Sequence, residues 1–405
     1  MDKNNLNSLH KSFKVIRDRK IKLLEEEADR INDLKEHVKE IRKYSIDNLE
    51  ELIQKAMNNF QENGMEVIFA EDSQKALDHI YQIIKDEEIV SKSKSNTINE
   101  IGLSPFLESK GIELVETDLG DRIIQIDPDT SGPSHPIGPA AHLDMNQIAE
   151  IASNKFKREV KAEPEEILDI IKNDVLKRLE KCNIGITGAN SVAAEDGALL
   201  MVHNEGNITL VSMKDIHIVV TGIDKLVRTI EDAVSVVKLE TIFATGKTIP
   251  AYMNVISSPS KTADIEQILL KDMYGAKRVI LILLDNGRRK ALQEYDECLL
   301  CIGCGSCIVS CPVYNVTGYE FGYRGYLGGR GITFSNFIKD NETCFNSGLF
   351  KCTECGLCTS ECPVNIKTNK MIERLRNESV EKGAFPEKHH ETAERIKKKG
   401  SPFED

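Results

Sequence analysis

The sequence predicts an α/β protein built on a largely parallel sheet, with a helical segment before it and a compact cysteine-rich module after it. Three observations carry that expectation. From Gly64 to about residue 295, short apolar runs alternate with stretches of helical periodicity, the pattern of strands joined by crossover helices. Residues 13–60 are rich in Lys, Glu, Arg and Leu, with Ile31, Leu34, Val38 and Ile41 at the 3-4-3 spacing of one helix face. Ten of the eleven cysteines follow residue 297, and such crowding points to metal.

In chain order, a helical segment over 1–60 is expected to pack on the rest of the protein, because its heptad is not sustained long enough for a coiled coil. Strands are expected at 66–70, 89–92, 112–117, 122–126, 184–186, 198–203, 208–211, 216–221 and 278–284. Helices are expected at 76–84, 164–181 and 223–237, and a hairpin-like insertion around 204–207. The α/β domain would then run over 61–295 and the cysteine module over 296–385. A charged tail follows at 386–405, with 397–402 read as frayed.

Length and composition bound the function. A chain of 405 residues with 40% hydrophobic residues can bury real cores in more than one unit. A formal net charge of −12, with no basic face, excludes nucleic acid as an expected partner. The opening MDKNNLNSLHKSF has no apolar core before a cleavage site, so no secretory signal is expected. No run approaches the roughly 18–20 apolar residues that span a bilayer. The expected location is the cytoplasm, with any membrane association made through partners.

Cys301, Cys304, Cys307 and Cys311 precede Pro312, and Cys352, Cys355, Cys358 and Cys362 precede Pro363. Both runs have the C-x2-C-x2-C-x3-C-P spacing of bacterial ferredoxins, in which the fourth cysteine ligates the other cluster. Three thiolates on a tight loop converge on three irons of a cubane, and the fourth faces across. The expected ligand sets are thus Cys301, Cys304, Cys307 and Cys362 for one [4Fe-4S] cluster, and Cys352, Cys355, Cys358 and Cys311 for the other. Structural zinc is the competing reading of paired C-x2-C elements, and two complete repeats ending in Cys-Pro speak against it. Cys182, Cys298 and Cys344 are left over and read as buried thiols, with a redox role open for Cys298 and Cys344.

About forty residues separate the motifs. That separation resembles the α-helical ferredoxin domains of fumarate reductase and heterodisulfide reductase subunits. Tyr319, Phe321, Tyr323 and Tyr326, among glycines in 314–331, are expected to shield a cluster from water.

The α/β region has no G-x-G-x-x-G after a strand and no Walker A motif. Its distinctive stretches are Gly185-Ile186-Thr187-Gly188-Ala189-Asn190 and Asn204-Glu205-Gly206-Asn207, the latter expected between two strands. Glycines at a strand's end allow close approach to a ligand or a positive φ; a tight strand-to-helix turn explains the first stretch equally well. If the domain holds a small carboxylate, Gly185, Thr187, Gly188, Asn190, Asn204 and Glu205 are the binding candidates, because open α/β sheets present ligand sites at strand ends. Glu195, Asn190 and His142 are the catalytic candidates, with His135 beside them. A structural hydrogen-bonding role for the histidines, and turn capping for Glu195 and Glu205, are the plainer readings.

GITGAN, AAEDGALLMVHNEGNITLV, HIVVTGIDKLV, LLDNGR and CLLCIGCGSCIVSCPVY together resemble the iron–sulfur subunit of the bacterial lactate-utilisation complex, a family built on the LUD domain. Upstream, Ser91-Lys92-Ser93, Glu100-Ile101-Gly102-Leu103, GIELVETDLGDRIIQI and PSHPIGPAAHL extend the similarity, which runs from about residue 35 to 370. The resemblance implies a LUD domain similar to the NagB/RpiA/CoA-transferase group, followed by a helical ferredoxin domain. It also implies a place in a complex that oxidises L-lactate to pyruvate, beside a second LUD protein and a CCG-type cysteine-rich protein. A cluster takes one electron and lactate gives two, so a flavin or other two-electron carrier on a partner is expected. The other readings are a non-catalytic electron-transfer and docking subunit of a heterodisulfide-reductase-like or flavin-based complex, and, more remotely, a CoA-transferase-like enzyme with regulatory clusters. Cys298 and Cys344 depart from the family pattern.

Overall fold

The computed structural model describes residues 1–127 and 132–403; the last two residues of the expected tail lie outside them. Three helices lead the chain, α1 (Lys3–Glu26), α2 (Ala28–Asp47) and α3 (Leu49–Glu62). Asp2 caps α1 by accepting from the Asn5 amide at 2.8 Å. Leu9 and Phe13 of α1 and Ile31, Val38 and Ile41 of α2 are buried in the same apolar cluster as the cysteine module, whereas Leu52, Ile53, Ala56 and Phe60 of α3 pack beneath the sheet. The helical segment therefore packs within the chain, as its interrupted heptad predicts.

The central region runs β1 (Glu66–Ala70), α4 (Ser73–Ile84), β2 (Ile89–Lys92), α5 (Asn96–Ile101), α6 (Leu103–Ser109), β3 (Glu113–Glu116), α7 (Leu119–Ile126), α8 (Met145–Phe156), α9 (Pro164–Leu179), β4 (Ile184–Thr187), β5 (Ser191–Ala193) and β6 (Ala198–His203). It continues with α10 (Asn207–Ser212), β7 (Ile216–Gly222), β8 (Leu226–Val227), α11 (Ile230–Thr245), β9 (Tyr252–Ile256), the two-residue pair β10 (Lys261–Thr262) and β11 (Leu270–Lys271), and β12 (Arg278–Leu284). Six strands form one sheet in the order β1-β12-β7-β4-β2-β3, every pairing parallel. Ile218, Val219 and Val220 on β7 and 280–284 on β12 are buried on both faces, which is why these strands read as continuous apolar runs. Strand order reverses between β2 and β4, so the carboxyl ends of those two strands border a crevice. A smaller sheet, β8-β5-β6-β9, stands beside it.

Several expectations are corrected. Residues 122–126 are helical, in α7, because Asp118 caps the helix through the Asp121 amide and Ile123 is buried in a separate cluster with α8 and α9. Residues 208–211 are also helical, in α10, so 204–207 is a strand-to-helix turn and no hairpin. Gly206, at φ +85°, turns the chain straight into that helix. Both runs are too short for a period of 2 to be told from one of 3.6. The stretch 185–190 joins β4 to β5, strand to strand. Residues 223–237 begin with a 3-10 turn and β8, and the helix starts only at Ile230, capped by Thr229. At the tail, α19 (Glu387–Lys399) extends through 397–399 and ends on Gly400.

The C-terminal region is helical: α12 (Arg288–Tyr295), a 3-10 turn (Asp296–Leu300), α13 (Ser306–Val309), α14 (Tyr314–Thr317), the short pair β13 (Gly322–Tyr323) and β14 (Tyr326–Leu327), then α15 (Gly328–Ile338), α16 (Asn341–Asn346), α17 (Leu357–Ser360), α18 (Thr368–Glu381) and α19. Every residue of α15 is buried, making it the axis of this region. Arg42 of α2 braces the arrangement: its Nη2 donates to the carbonyls of Asp224 (2.5 Å) and Leu299 (2.6 Å), tying the helical segment to the sheet and to the first cysteine loop at once.

Candidate metal centre

The two cysteine motifs fold alike. Cys301 and Cys352 share extended backbone angles, and α13 and α17 each begin on a left-handed glycine, Gly305 (φ +72°) and Gly356 (φ +79°). One further left-handed position precedes each, at Gly303 (φ +86°) and Glu354 (φ +54°). This tight double turn aims three cysteines of each motif inward and carries the fourth past the short helix.

The charged neighbours of the sulfurs sort mainly into the two expected sets, with Cys307 touching both. Burial raises the Cys304 thiol, and Cys362 and Cys301 add to the rise; for Cys307 burial acts with Cys304, Cys301 and Cys362, and with Cys358 of the other motif. On the other side, burial pushes Cys358 up to about 11, reinforced by Cys352, Cys311 and Cys355, and Cys311 is raised by burial and by Cys352 and Cys355. Cys311, Cys352, Cys355 and Cys358 line a small space with Val313 and Phe321, and Cys307 reaches it from the first motif. All eleven cysteines are free of disulfides.

This donor set fits two cubanes. Buried thiols without a cation resist ionisation, and iron supplies the charge that makes thiolates of them. Two complete four-cysteine repeats, folded alike and each ending in Cys-Pro, are the donor pattern of paired cubanes and not of a single Zn(Cys)4 site. Phe321 is fully buried at the second group, whereas the Tyr326 hydroxyl turns away to donate to Glu100 at 2.7 Å. Buried Lys20 donates to Ser306 Oγ (2.8 Å) and pairs with Glu361, and Arg376 donates to the carbonyls of Leu349 (3.0 Å) and Cys352, so each loop is held by a long cation. Cys298 and Cys344 are buried near one another, their thiols pushed by burial up to about 11 and about 12. Cys182 bonds the Arg178 carbonyl at 3.3 Å, far from both loops in sequence and setting.

The residues singled out in the α/β region do not assemble into one site. Gly185 serves packing: a Cβ there would lie 2.0 Å from the Val211 carbonyl oxygen of α10. Gly188 brings the ends of β4 and β2 together, since a Cβ would meet Ser95 Oγ at 2.4 Å. Thr187 is buried, its Oγ1 2.7 Å from His217 Nε2. Asn190 donates to both oxygens of Glu240 (3.2 and 3.1 Å) and accepts from the Val202 amide. Glu195 pairs with Lys55, and Asn204 accepts from the Ala251 amide, both at the surface. His142 packs edge-on against Tyr319, and His135 against Phe13. Glu205 joins a charged group missed in the sequence: its carboxylate accepts from the Leu119 amide and sits near Asp118, which Lys94 binds at 2.9 Å.

Loops of the cysteine module cover the carboxyl end of the sheet. A Cβ on Gly305 would lie 3.0 Å from His135 Nε2, and one on Gly303 would lie 3.5 Å from Glu240 Oε1 and 3.6 Å from Lys225 Nζ. Burial pushes the Asp121 carboxyl up to about 7, with Glu116 reinforcing and Lys92 opposing the shift. These charged residues carry no spacing that marks them in one dimension.

Burial also drives His217 down to about 3, so it is neutral in the folded chain at pH 7. Below the unfolded value of about 6.5 the unfolded chain binds a proton that the folded ring refuses, so stability falls as pH drops, by about 1.4 kcal/mol per unit for this ring. His217→Gln removes this contribution. Its urea midpoint is expected to fall less steeply than the unsubstituted chain's on acidification from about pH 6.5 to 5.

A parallel α/β domain whose strand ends carry a module of two four-cysteine motifs folded alike defines the class, an iron–sulfur protein. A model described as the LUD domain matches residues 53–284, and one described as a 4Fe-4S dicluster domain matches residues 297–366. The chain belongs to the LUD-domain family. It is 32% identical over 389 residues to Lactate utilization protein B of Macrococcus caseolyticus, covering 95% of this chain and 78% of that one. The protein of the same name from Oceanobacillus iheyensis is 33% identical over 383 residues, 93% of this chain and 76% of the other. A solved DUF162 family protein from Deinococcus radiodurans matches with a TM-score of 0.30 at 11% identity, over 58% of this chain and 98% of that one, too loosely to carry an argument. Among the described residues no helix is long and apolar enough to cross a membrane.

Proposed function

We propose that this chain is the iron–sulfur subunit of an assembly that oxidises L-lactate to pyruvate, with Cys301, Cys304, Cys307 and Cys362 holding one [4Fe-4S] cluster and Cys352, Cys355, Cys358 and Cys311 the other. The relatives named Lactate utilization protein B support the lactate reading, and the observation that carries the relay is the pair of four-cysteine motifs, folded alike on left-handed turns and set against the end of the α/β sheet. When bound, each cluster would take up and release one electron at a time.

The chain's own residues do the rest. Phe321 and Tyr314 exclude water from the second quartet, Lys20 and Arg376 hold the loops, and Lys225 sets a positive charge beside Gly303 of the first. Oxidation of a 2-hydroxy acid removes two electrons and two protons, so a two-electron carrier, such as a flavin on a partner, stands between substrate and this relay. A second LUD protein and a CCG-type protein are the proposed partners. Exposed Ile249, Tyr252, Ile265, Leu269 and Tyr274, close in sequence, support membership of an assembly.

The test is to purify the protein anaerobically with its partners and add L-lactate, following the clusters by EPR. Reduction by L-lactate is expected. Clusters that dithionite reduces and L-lactate leaves silent would sink the lactate reading and favour a docking subunit of another redox complex.

A further inference from the structure

An open groove of about 380 Å³ runs between α2 and the second cysteine motif, a volume in the range of small-ligand sites. One wall is formed by Thr359, Cys362, Asn365 and Asn369 and the other by Lys35 and Lys39, one turn apart on α2. In a chain of formal net charge −12, this lining holds two ammonium groups and no carboxylate.

The lysines are only lightly engaged. Lys39 Nζ lies 2.8 Å from Glu36 Oε1 and Lys35 Nζ 3.5 Å from Asn32 Oδ1, both exposed contacts within α2. Pairs of that kind contribute about 0–1 kcal/mol and yield readily to a better partner. On the facing wall Thr359 Oγ1 donates to Asn369 Oδ1 at 2.9 Å, which engages the amide oxygen and leaves the NH2 side to donate. Two cations and an oriented amide donor select for negative charge.

We infer that this groove binds a small organic anion, bearing a carboxylate or a phosphate, against the Cys362 side of the first quartet. The inference rests on the proposed function for the meaning of that neighbour. The anionic group could belong to the 2-hydroxy acid itself or to a phosphate-bearing two-electron carrier, and the arms of the test separate these sources.

The anaerobically reconstituted full chain is titrated by equilibrium dialysis with L-lactate, flavin mononucleotide and inorganic phosphate as separate probes. One of the two organic anions is expected to bind, and Lys35→Gln with Lys39→Gln to weaken it by roughly tenfold or more, as loss of charge-assisted hydrogen bonds requires. Lys35→Arg with Lys39→Arg should retain binding. Binding of inorganic phosphate alone, binding of no probe, or binding that survives the double glutamine variant each overturns the inference. Iron analysis on the same samples keeps the two readings apart: no binding to the unsubstituted chain at full iron refutes the groove alone, whereas about four irons per chain instead of about eight, with binding intact, refutes the two-cluster reading alone.

Discussion

Cys362→Ala is expected to strip iron from the quartet of the first motif while leaving that of its own motif in place, lowering iron from about eight to about four atoms per chain. Cys362 lies 51 residues beyond Cys311 in the sequence, yet its sulfur is raised by burial and by Cys301, and it in turn raises Cys304 and Cys307. Cys311→Ala should do the reciprocal damage to the second quartet. Double variants make the crossing measurable, because residues acting on one unit are not additive and residues acting on two are. Cys362→Ala with Cys301→Ala should hold as much iron as Cys362→Ala alone, and Cys362→Ala with Cys352→Ala almost none. The reverse order, about four irons with Cys352→Ala and almost none with Cys301→Ala, or equal iron in the two, with circular dichroism showing both folded, would refute the crossed assignment.

Arg288→Met is expected to lower unfolding stability by about 3–5 kcal/mol, the penalty for leaving buried charge uncompensated. The fully buried guanidinium donates to both oxygens of Glu100 at 2.8 Å and to Asp224. Burial alone would raise the Asp224 carboxyl, but Arg288, with Lys225 and Arg330, holds it well below the usual carboxylate range. Glu100 also accepts from Asn286 Nδ2 at 2.6 Å and from Tyr326 of the cysteine module at 2.7 Å. Arg324 of the same module donates to the Glu100 carbonyl at 3.0 Å. The network thus fastens the module to the carboxyl end of the sheet. Arg288→Met with Glu100→Gln should lose less than the sum of the single changes, measured by anaerobic urea unfolding, because the second change removes a charge stranded by the first. Strict additivity would show that the pair does not act as a unit.

How much of this was legible before folding depends on which interactions are local. The strands at 216–221 and 278–284 could be read because parallel strands buried on both faces are continuous apolar runs. The runs at 122–126 and 208–211 could not, because four or five residues do not separate the two periods and the deciding signals were a cap at Asp118 and a left-handed Gly206. Arg42 gave no sign of its role, since a charge on an amphipathic helix is normally solvated.

The cysteine motifs were readable because three ligands of a cubane sit on one short loop, so the chemistry is written in the spacing. By itself the sequence determined the α/β alternation, the helical lead, the two four-cysteine repeats and the family. Only the tertiary structure decided what those repeats face. Glu100, Asp224, Arg288 and Tyr326 come from four separate segments, and Lys94, Asp121 and Glu205 from three. Lys35 and Lys39 meet Cys362 across more than three hundred residues. The physical reason is that a metal loop is specified by local backbone geometry, whereas a charged network is specified by burial, and burial exists only once the sheet and its helices have closed around it.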